Sequence, residues 1–484
     1  MVQLVMLLLG VDYLRKRWRT LFVVGLIWLV TGVGLFVDAL DDAIYFPMQL
    51  LAYLLLAEGL ATLAVAWTGA GGQRVLRYVK GVAVVFAAAL ILAGHHHGNF
   101  VLSMIFGTLF LADGLLQAAS AYVVRYPRWR VVLTLAVVEI LLAIFFFQPY
   151  PTHYVGTAPY CLGLGLAFGG WNLLWIALRV RALRRLPAER KRTLRLSDDV
   201  IADHTIASRS AEARAATATD AANADAGADT PFEWDGPPGP DEKALTVHVW
   251  TPVGSARTQA QRALIVDRYI AAVDANGVIS TGHAALESPE GIYISLYPGV
   301  EIDRSPDEFG RILRATREND VPGIFQPDYA TESKAWCEST TKVRIRNYSP
   351  ARLDEFWDAY RQDLTYNLTY RNCSSTVSNA LEAALEGSVG NFHGRDTGWR
   401  AFWRLIVTPE LWVAAQLRKR AATMAWTPGL TLDYARALSM LADPRPFGWL
   451  KMARLALRRM MRTRRGWRQE AVDAADARAG RASS

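Results

Sequence analysis

Cysteine is scarce in this chain: its 484 residues include only Cys161, Cys337 and Cys373. So small and odd a number argues against a disulfide framework and is typical of a reducing compartment. The sequence also lacks a Cys-x-x-Cys pair, a Walker loop and a dinucleotide-binding glycine pattern. It therefore predicts neither a metal site nor a cofactor.

The first 180 residues contain long apolar runs that carry almost no charged residue. A helix needs about 20 apolar residues to cross the hydrocarbon core, and lipid-exposed backbone must satisfy its own hydrogen bonds. Six such runs in succession are not expected of a soluble core. The sequence therefore predicts an all-α bundle of six transmembrane helices, at residues 18–37, 45–67, 75–93, 100–123, 131–147 and 158–178.

Arginine and lysine occur in alternate gaps between these runs. They cluster at residues 15–19, 74–80, 125–130 and 179–192, whereas the other gaps carry aspartate, the His95–His97 run or no charge. By the positive-inside rule, both termini are predicted to be cytoplasmic in a multi-pass protein of the cell inner (plasma) membrane. The net charge of +8 then fits the lipid bilayer as partner rather than nucleic acid. The histidine run is expected in a solvated loop.

A short motif recurs in the even-numbered spans. Its copies are Leu56-Ala57-Glu58-Gly59-Leu60, Leu111-Ala112-Asp113-Gly114-Leu115 and the fainter Ala167-Phe168-Gly169-Gly170-Trp171. The interval predicts a helical hairpin used three times, with small residues where helices approach closely. Glu58 and Asp113 are costly in lipid and are expected to face the bundle interior, as a packing contact or as part of an ion path. These hairpins resemble the HdeD-like acid-resistance membrane proteins over residues 12–180, a resemblance that implies a fold more than a function.

The rest of the chain reads as soluble. With residues 1–192 assigned to the membrane, residues 193–243 are predicted to be a disordered linker because they contain few residues able to form a core. Residues 244–392 form an α+β pattern, with a strand at 245–250, two strands at 280–287 and 291–297, and helices at 350–363 and 373–386. Residues 393–466 form a basic, aromatic, helical tail, expected either on the membrane surface or as a packed subdomain. Residues 467–484 are expected to be frayed.

Two residues in the α+β region have the pattern of a thiol enzyme. Cys373 lies at a predicted helix start, where the partial positive charge and free N–H groups lower a thiol pKa. His283 lies in a predicted strand, where it can act as the base. If the following turn centres on Pro289, Ser295 lies opposite His283 and orients it. Tyr293 and Glu287 are weaker candidates for that role.

Further support for the chemistry is expected at the helix start. Its N–H groups can hold an oxyanion, helped by Asn372 and Ser374. Cys337 has no histidine near it in sequence and is expected to be structural.

The order Gly282-His283-Ala284, then Gly291 to Ser295, then Asn372-Cys373-Ser374-Ser375 resembles the circularly permuted papain-like proteins of the NlpC/P60 superfamily. The resemblance spans residues 245–390 and implies a papain-like domain with a Cys-His mechanism. It predicts a membrane-tethered cysteine hydrolase, protease- or amidase-like, acting at the cytoplasmic face. Its substrate would be a protein, peptide or lipid acyl group near that surface, which leaves open a lipid acyl hydrolase or acyltransferase. A non-catalytic membrane stress protein with a partner-binding domain is the other alternative.

Overall fold

The computed structural model describes ten main ranges, with some single residues and pairs beside them. The ranges are 1–40, 47–68, 72–93, 98–125, 129–149, 156–185, 241–251, 279–300, 311–390 and 398–443. The predicted linker up to residue 237, the His95–His97 loop, most of the tail beyond residue 443 and the predicted frayed terminus lie outside them. The chain forms two compact units, residues 1–46 with 94–443, and residues 47–93 with 444–484.

Six of the N-terminal helices are long and apolar enough to cross a membrane. A short helix, α1 (Val2–Leu9), precedes them. The six are α2 (Val11–Asp38), α3 (Met48–Val65), α4 (Gly72–Leu92), α5 (Gly98–Val124), α6 (Trp129–Phe147) and α7 (Thr157–Arg185). The predicted multi-pass membrane region is therefore confirmed. Four helices lie within three residues of their predicted limits, whereas α2 begins seven residues earlier and α7 ends seven residues later than predicted.

The glycine of each motif copy lies where two helices cross. A Cβ on Gly59 would stand 3.0 Å from the Val85 backbone nitrogen of α4, and one on Gly114 would stand 3.0 Å from the Ala136 carbonyl oxygen of α6. Gly170 of α7 packs directly against the backbone of Leu29 in α2. The predicted close approach is thus confirmed. The third pair joins the first and last spans, so a third hairpin of consecutive spans does not form.

The remaining strands and helices build the α+β region. The strands are β1 (Leu245–Trp250), β2 (Ala272–Val273), β3 (Ile279–Ser280), β4 (His283–Glu287), β5 (Tyr293–Ile294), β6 (Leu296–Pro298), β7 (Val321–Phe325), β8 (Thr341–Ile345) and β9 (Thr365–Tyr366). The helices are α8 (Tyr329–Ala335), α9 (Pro350–Tyr360), α10 (Cys373–Ala384), α11 (Trp399–Val407), α12 (Pro409–Thr423) and α13 (Pro428–Ala442). The antiparallel sheets have the orders β5-β4-β1-β8, β2-β3 and β6-β7-β9.

The central strand β1 is buried on both faces. Leu245, Val247 and Val249 belong to the apolar core that α10 and α13 complete. On the other face, the ring of His248 stacks on Tyr329 of α8 at 4.1 Å between centroids. The alternation of β1 therefore separates a purely apolar face from a face of aromatic and polar groups.

The hairpin after β4 has a different register from the predicted one. Leu286 lies opposite Ile294 and Glu287 opposite Tyr293, so the turn centres on Glu290 rather than on Pro289. The strand pairing also ends at Ile294. The prediction that Ser295 lies directly opposite His283 is therefore wrong in register.

Helix α1 packs in the core of the α+β region, a contact that the sequence did not predict. The Leu7 carbonyl accepts the Gly387 N–H at 2.9 Å, and the Leu8 carbonyl accepts the Val389 N–H at 2.9 Å. Gly10, at φ +79°, approaches so closely that a Cβ there would stand 2.8 Å from the Gly387 Cα. The N-terminus and the α+β region thus lie together at the start of the first span.

Helices α11 to α13 form a packed subdomain rather than a separate surface segment. Phe402, Leu411 and Leu438 are at most 1% exposed and belong to the same core as β1. The amphipathic pattern of the tail up to residue 443 therefore reflects packing on the α+β region.

The two motif acids form ion pairs. Glu58 contacts Lys80 of α4 at 2.7 Å, within the α3–α4 pair. Asp113 is half-buried and contacts Lys419 at 2.6 Å and Arg420 at 2.9 Å, both on α12. Each acid therefore has a cation that offsets its desolvation cost, which supports the packing alternative over an ion path.

Candidate active site

Cys373 is the first residue of α10, at a fully capped N-terminus. The Asn372 side chain accepts the Ser375 N–H at 2.8 Å, and the Ser375 hydroxyl accepts the Asn372 N–H at 2.9 Å, which forms a capping box. The side chain of Cys373 is 8% exposed and lines a cavity. The thiol therefore meets the partial positive charge of the helix end, and its predicted position at a helix start is confirmed.

His283 is the first residue of β4 and is 4% exposed. Its ring stacks on Tyr297, with 4.2 Å between centroids, which fixes the plane of the imidazole. The imidazole and the Cys373 thiol line the same cavity, and each shifts the pKa of the other. The two residues that the sequence singled out are therefore brought together in one site.

Glu332 of α8 is a member of the site that the sequence analysis missed. Its Oε1 lies 3.2 Å from the Nε2 of His283, and the side chain is 3% exposed. It accepts a hydrogen bond from the Tyr293 hydroxyl at 2.6 Å and another from the Tyr297 hydroxyl at 2.8 Å. The carboxylate thus lies at Nε2 of the ring, which leaves Nδ1 of His283 to serve Cys373.

Ser295 contacts His283 as predicted, although in a different arrangement. Its Oγ lies 2.8 Å from the same Nε2 atom, and it helps to lower the pKa of Glu332. Ser295 therefore supports a carboxylate that carries the charge. A neutral hydroxyl alone would stabilise an imidazolium less than this buried anion does.

The three ionisable groups shift one another's pKa. Burial alone would raise the pKa of Cys373, but the adjacent His283 imidazolium lowers it below the ordinary thiol value. Burial acts against the charge of His283, yet the Cys373 thiolate and Glu332 together raise its pKa to about 9. Burial likewise opposes the charge of Glu332, whereas His283 and the tyrosine hydroxyls lower its pKa to about 2. These directions favour a thiolate–imidazolium pair at neutral pH.

The expected oxyanion support takes a different form. The Asn372 amide donates to the Leu368 and Trp426 carbonyls at 2.7 and 2.9 Å, so it is committed to the loop and does not face the thiol. Ser374 is buried, with its Oγ 3.7 Å from the Cys373 Sγ. The backbone N–H of Ala284 also contributes to lowering the pKa of the thiol. Oxyanion donors are thus expected from the backbone at the start of α10 and beside Ala284.

The cavity beside Cys373 has a volume of about 440 Å³. His283 and Cys373 lie on one wall, and Tyr297, Trp336 and Tyr366 contribute aromatic walls, with Gln326 among the polar lining groups. Trp336 is 53% exposed and so lies at the entrance. A substrate carbonyl can therefore reach the thiol.

The other candidates from the sequence occupy separate places. Tyr293 donates to Glu332 and does not orient the histidine itself. Glu287 accepts from the second strand histidine, His248, at 2.9 Å and is not in the site. Cys337 is exposed. Among the described residues, no group of three or more His, Cys, Asp or Glu could hold a metal ion.

The comparisons with known proteins give no relative. No family model matches the chain, and no curated protein or solved structure matches it significantly.

Proposed function

We propose that this protein is a membrane-anchored cysteine hydrolase. The observation that carries the proposal is the position of His283, which lines one cavity with Cys373 and lies 3.2 Å from Glu332. A nucleophile, a base and an orienting anion gathered in one site are the arrangement that thiol hydrolysis needs. The resemblances to permuted papain-like enzymes and, for the spans, to HdeD-like proteins remain part of this proposal.

The reaction follows from the ionisation of the site. The Cys373 thiolate attacks the acyl carbon of the substrate and forms a C–S bond. His283, as imidazolium, gives its proton to the leaving amine or alkoxide as the scissile bond breaks. It then takes a proton from water, whose hydroxide attacks the thioester and releases the acid and the thiolate. Glu332 holds the ring in place and stabilises its positive charge throughout.

Thiol labelling over a range of pH tests the proposal. Because the pKa of Cys373 is lowered, its carbamidomethylation by iodoacetamide should fall less between pH 8 and pH 6 than that of an ordinary thiol. Labelling of a free thiol such as N-acetylcysteine falls about tenfold per pH unit below its pKa of ~8.5. Mass spectrometry of the digested full-length protein follows Cys373 and the exposed Cys337 separately. Equal labelling of the two cysteines, with the same pH dependence, would favour a non-catalytic, partner-binding domain.

We also propose that the site lies on the cytoplasmic side of the inner membrane. The arginine and lysine pattern supports this orientation. The six spans of the described residues are even in number, so the chain enters and leaves the membrane on the same side. The packing of α1 in the α+β core likewise places the N-terminal helix and the α+β region on one side.

Impermeant maleimide labelling of single cysteines tests this orientation. In a background with Cys161, Cys337 and Cys373 replaced by alanine, Asp41→Cys should react in intact cells, and Thr217→Cys should react only after permeabilisation. Labelling of Thr217→Cys from outside would move the enzyme to the opposite face and make extracytoplasmic substrates the natural choice.

A further inference from the structure

The cavity beside Cys373 offers a ligand no free charge. Apart from the thiol, its ionisable lining groups are His283, Glu332 and tyrosine hydroxyls, and no lysine, arginine or aspartate contributes to the described lining. The Glu332 carboxylate is occupied by His283, Ser295 and two tyrosines. A charged substrate group entering here would lose its hydration without gaining a partner.

The same cavity has a large apolar surface. Tyr297, Trp336 and Tyr366 contribute rings, and Leu296 and Pro298 contribute aliphatic surface. Beyond the entrance, Ile324 is 53% exposed, directly opposite Tyr297 in the β6–β7 pair. Ligand sites built in this way select apolar groups and use a few polar atoms to fix orientation.

The catalytic loop is linked by hydrogen bonds to the end of a membrane span. The Ala315 N–H donates to the carbonyl of Val124, the last residue of α5, at 2.8 Å. The neighbouring Leu313 carbonyl accepts the Thr369 hydroxyl at 2.9 Å. Thr369 belongs to the loop that leads into Cys373. Two hydrogen bonds therefore link the loop before Cys373 to the last residue of a candidate membrane span.

From these observations we infer that the substrate is a membrane-borne amphiphile whose uncharged, apolar acyl chain occupies the cavity beside Cys373. This inference rests on the proposed hydrolase function and names its substrate class. The Cys373 thiolate forms a thioester with the acyl carbon, the ester bond breaks, and the leaving alcohol takes its proton from His283. Water then releases the fatty acid and restores the thiolate. The apolar lining binds the chain, and the bilayer supplies substrate at high local concentration.

A series of p-nitrophenyl esters tests the acyl-chain preference. With full-length protein in detergent, the second-order rate of Cys373 acylation should rise from acetate through butyrate to octanoate, by about threefold for each methylene that enters the cavity. Acylation that does not increase with chain length would overturn the acyl-chain inference and leave the hydrolase standing. Absence of acylation by every ester would overturn the hydrolase and this inference with it.

The variant Trp336→Ala tests whether the acyl chain binds beside this side chain. Trp336→Ala should lower the octanoate-to-acetate rate ratio at least fivefold. Trp412→Ala removes a tryptophan of the same 53% exposure outside the cavity and should leave the ratio unchanged. If the two variants behave alike, the chain does not bind beside Trp336 and the inference fails.

Dilution of the substrate within the membrane distinguishes a substrate that comes from the bilayer from one that comes from water. In proteoliposomes carrying a long-chain fluorogenic ester at constant total concentration, added phospholipid lowers the mole fraction of substrate in the membrane. A membrane-borne substrate predicts that the rate falls in proportion. A rate that is independent of added lipid would mean that the acyl donor arrives from water, which contradicts the inference.

Discussion

Replacement of His283 by alanine should lower the rate of ester-driven acylation of Cys373 by about 10⁶-fold, the loss typical when the base of a catalytic triad is removed. Two effects combine in this loss. The Cys373 pKa rises because the imidazolium that lowers it is gone, and the leaving group loses its acid. In the same variant, iodoacetamide labelling at pH 6 should fall to the level of an ordinary thiol. Stopped-flow release of p-nitrophenol and peptide mass spectrometry measure the two effects.

The chain provides a matched control for this variant. His248 is also a buried strand histidine, 2% exposed, and it is hydrogen-bonded to Glu287 rather than to the thiol. His248→Ala should weaken the contact between β1 and β4 and leave the pH dependence of Cys373 labelling in place. If both variants reduced thiol reactivity to the same degree, His283 would be acting through fold stability and the proposed mechanism would fail.

Replacement of Glu332 by glutamine should lower turnover by about 10²–10⁴-fold, although the two side chains have nearly the same shape. The amide carries no charge to stabilise the imidazolium. Its NH₂ group also cannot accept a hydrogen bond from the tyrosine hydroxyls that donate to Glu332. A pH profile separates this positioning role from a structural one. Because Glu332 helps to raise the pKa of His283 to about 9, its loss should move the alkaline limb of the rate profile to lower pH.

Two comparison variants sharpen the test of Glu332. Ser295→Ala removes the hydrogen bond between its hydroxyl and His283 and should cost only about fivefold, since a single neutral hydrogen bond contributes about 1 kcal/mol. Glu382→Gln alters another buried glutamate, 7% exposed and paired with Arg418 away from the cavity, and should leave the alkaline limb unmoved. A larger loss in Ser295→Ala than in Glu332→Gln would return the orienting role to the serine.

The partners of the membrane acids changed the interpretation of the repeated motif. From the sequence, Glu58 and Asp113 were equivalent positions of one repeat, with an ion path or a packing contact as alternatives. In the structure Glu58 pairs with a lysine of the next span, whereas Asp113 pairs with two cations of α12. Equivalent acids thus have different partners, because a cation from a distant segment can reach one of them.

Local chemistry in the sequence was enough to predict the membrane region, the β1 strand and the position of Cys373. An apolar run of about 20 residues has a single stable form in lipid, and its length is read directly from the chain. Leu245–Trp250 alternates, and it forms a strand with those limits. Asn372 and Ser375 are separated by the spacing of a capping box, so the start of α10 is determined within four residues.

Long-range packing alone decided which groups complete the site. Glu332 lies in the ordinary segment Thr331-Glu332-Ser333-Lys334, where nothing distinguishes it from a solvated acid until α8 packs against the sheet and two tyrosines donate to it. The β4–β5 register depends on side-chain packing across the pair. The turn therefore centres on Glu290 and not, as the sequence had predicted, on Pro289. The burial of α1 beside Gly387 joins opposite ends of the chain. The sequence determined elements whose stability is local, whereas the catalytic carboxylate, the register and the place of the N-terminus depend on contacts between segments far apart in sequence.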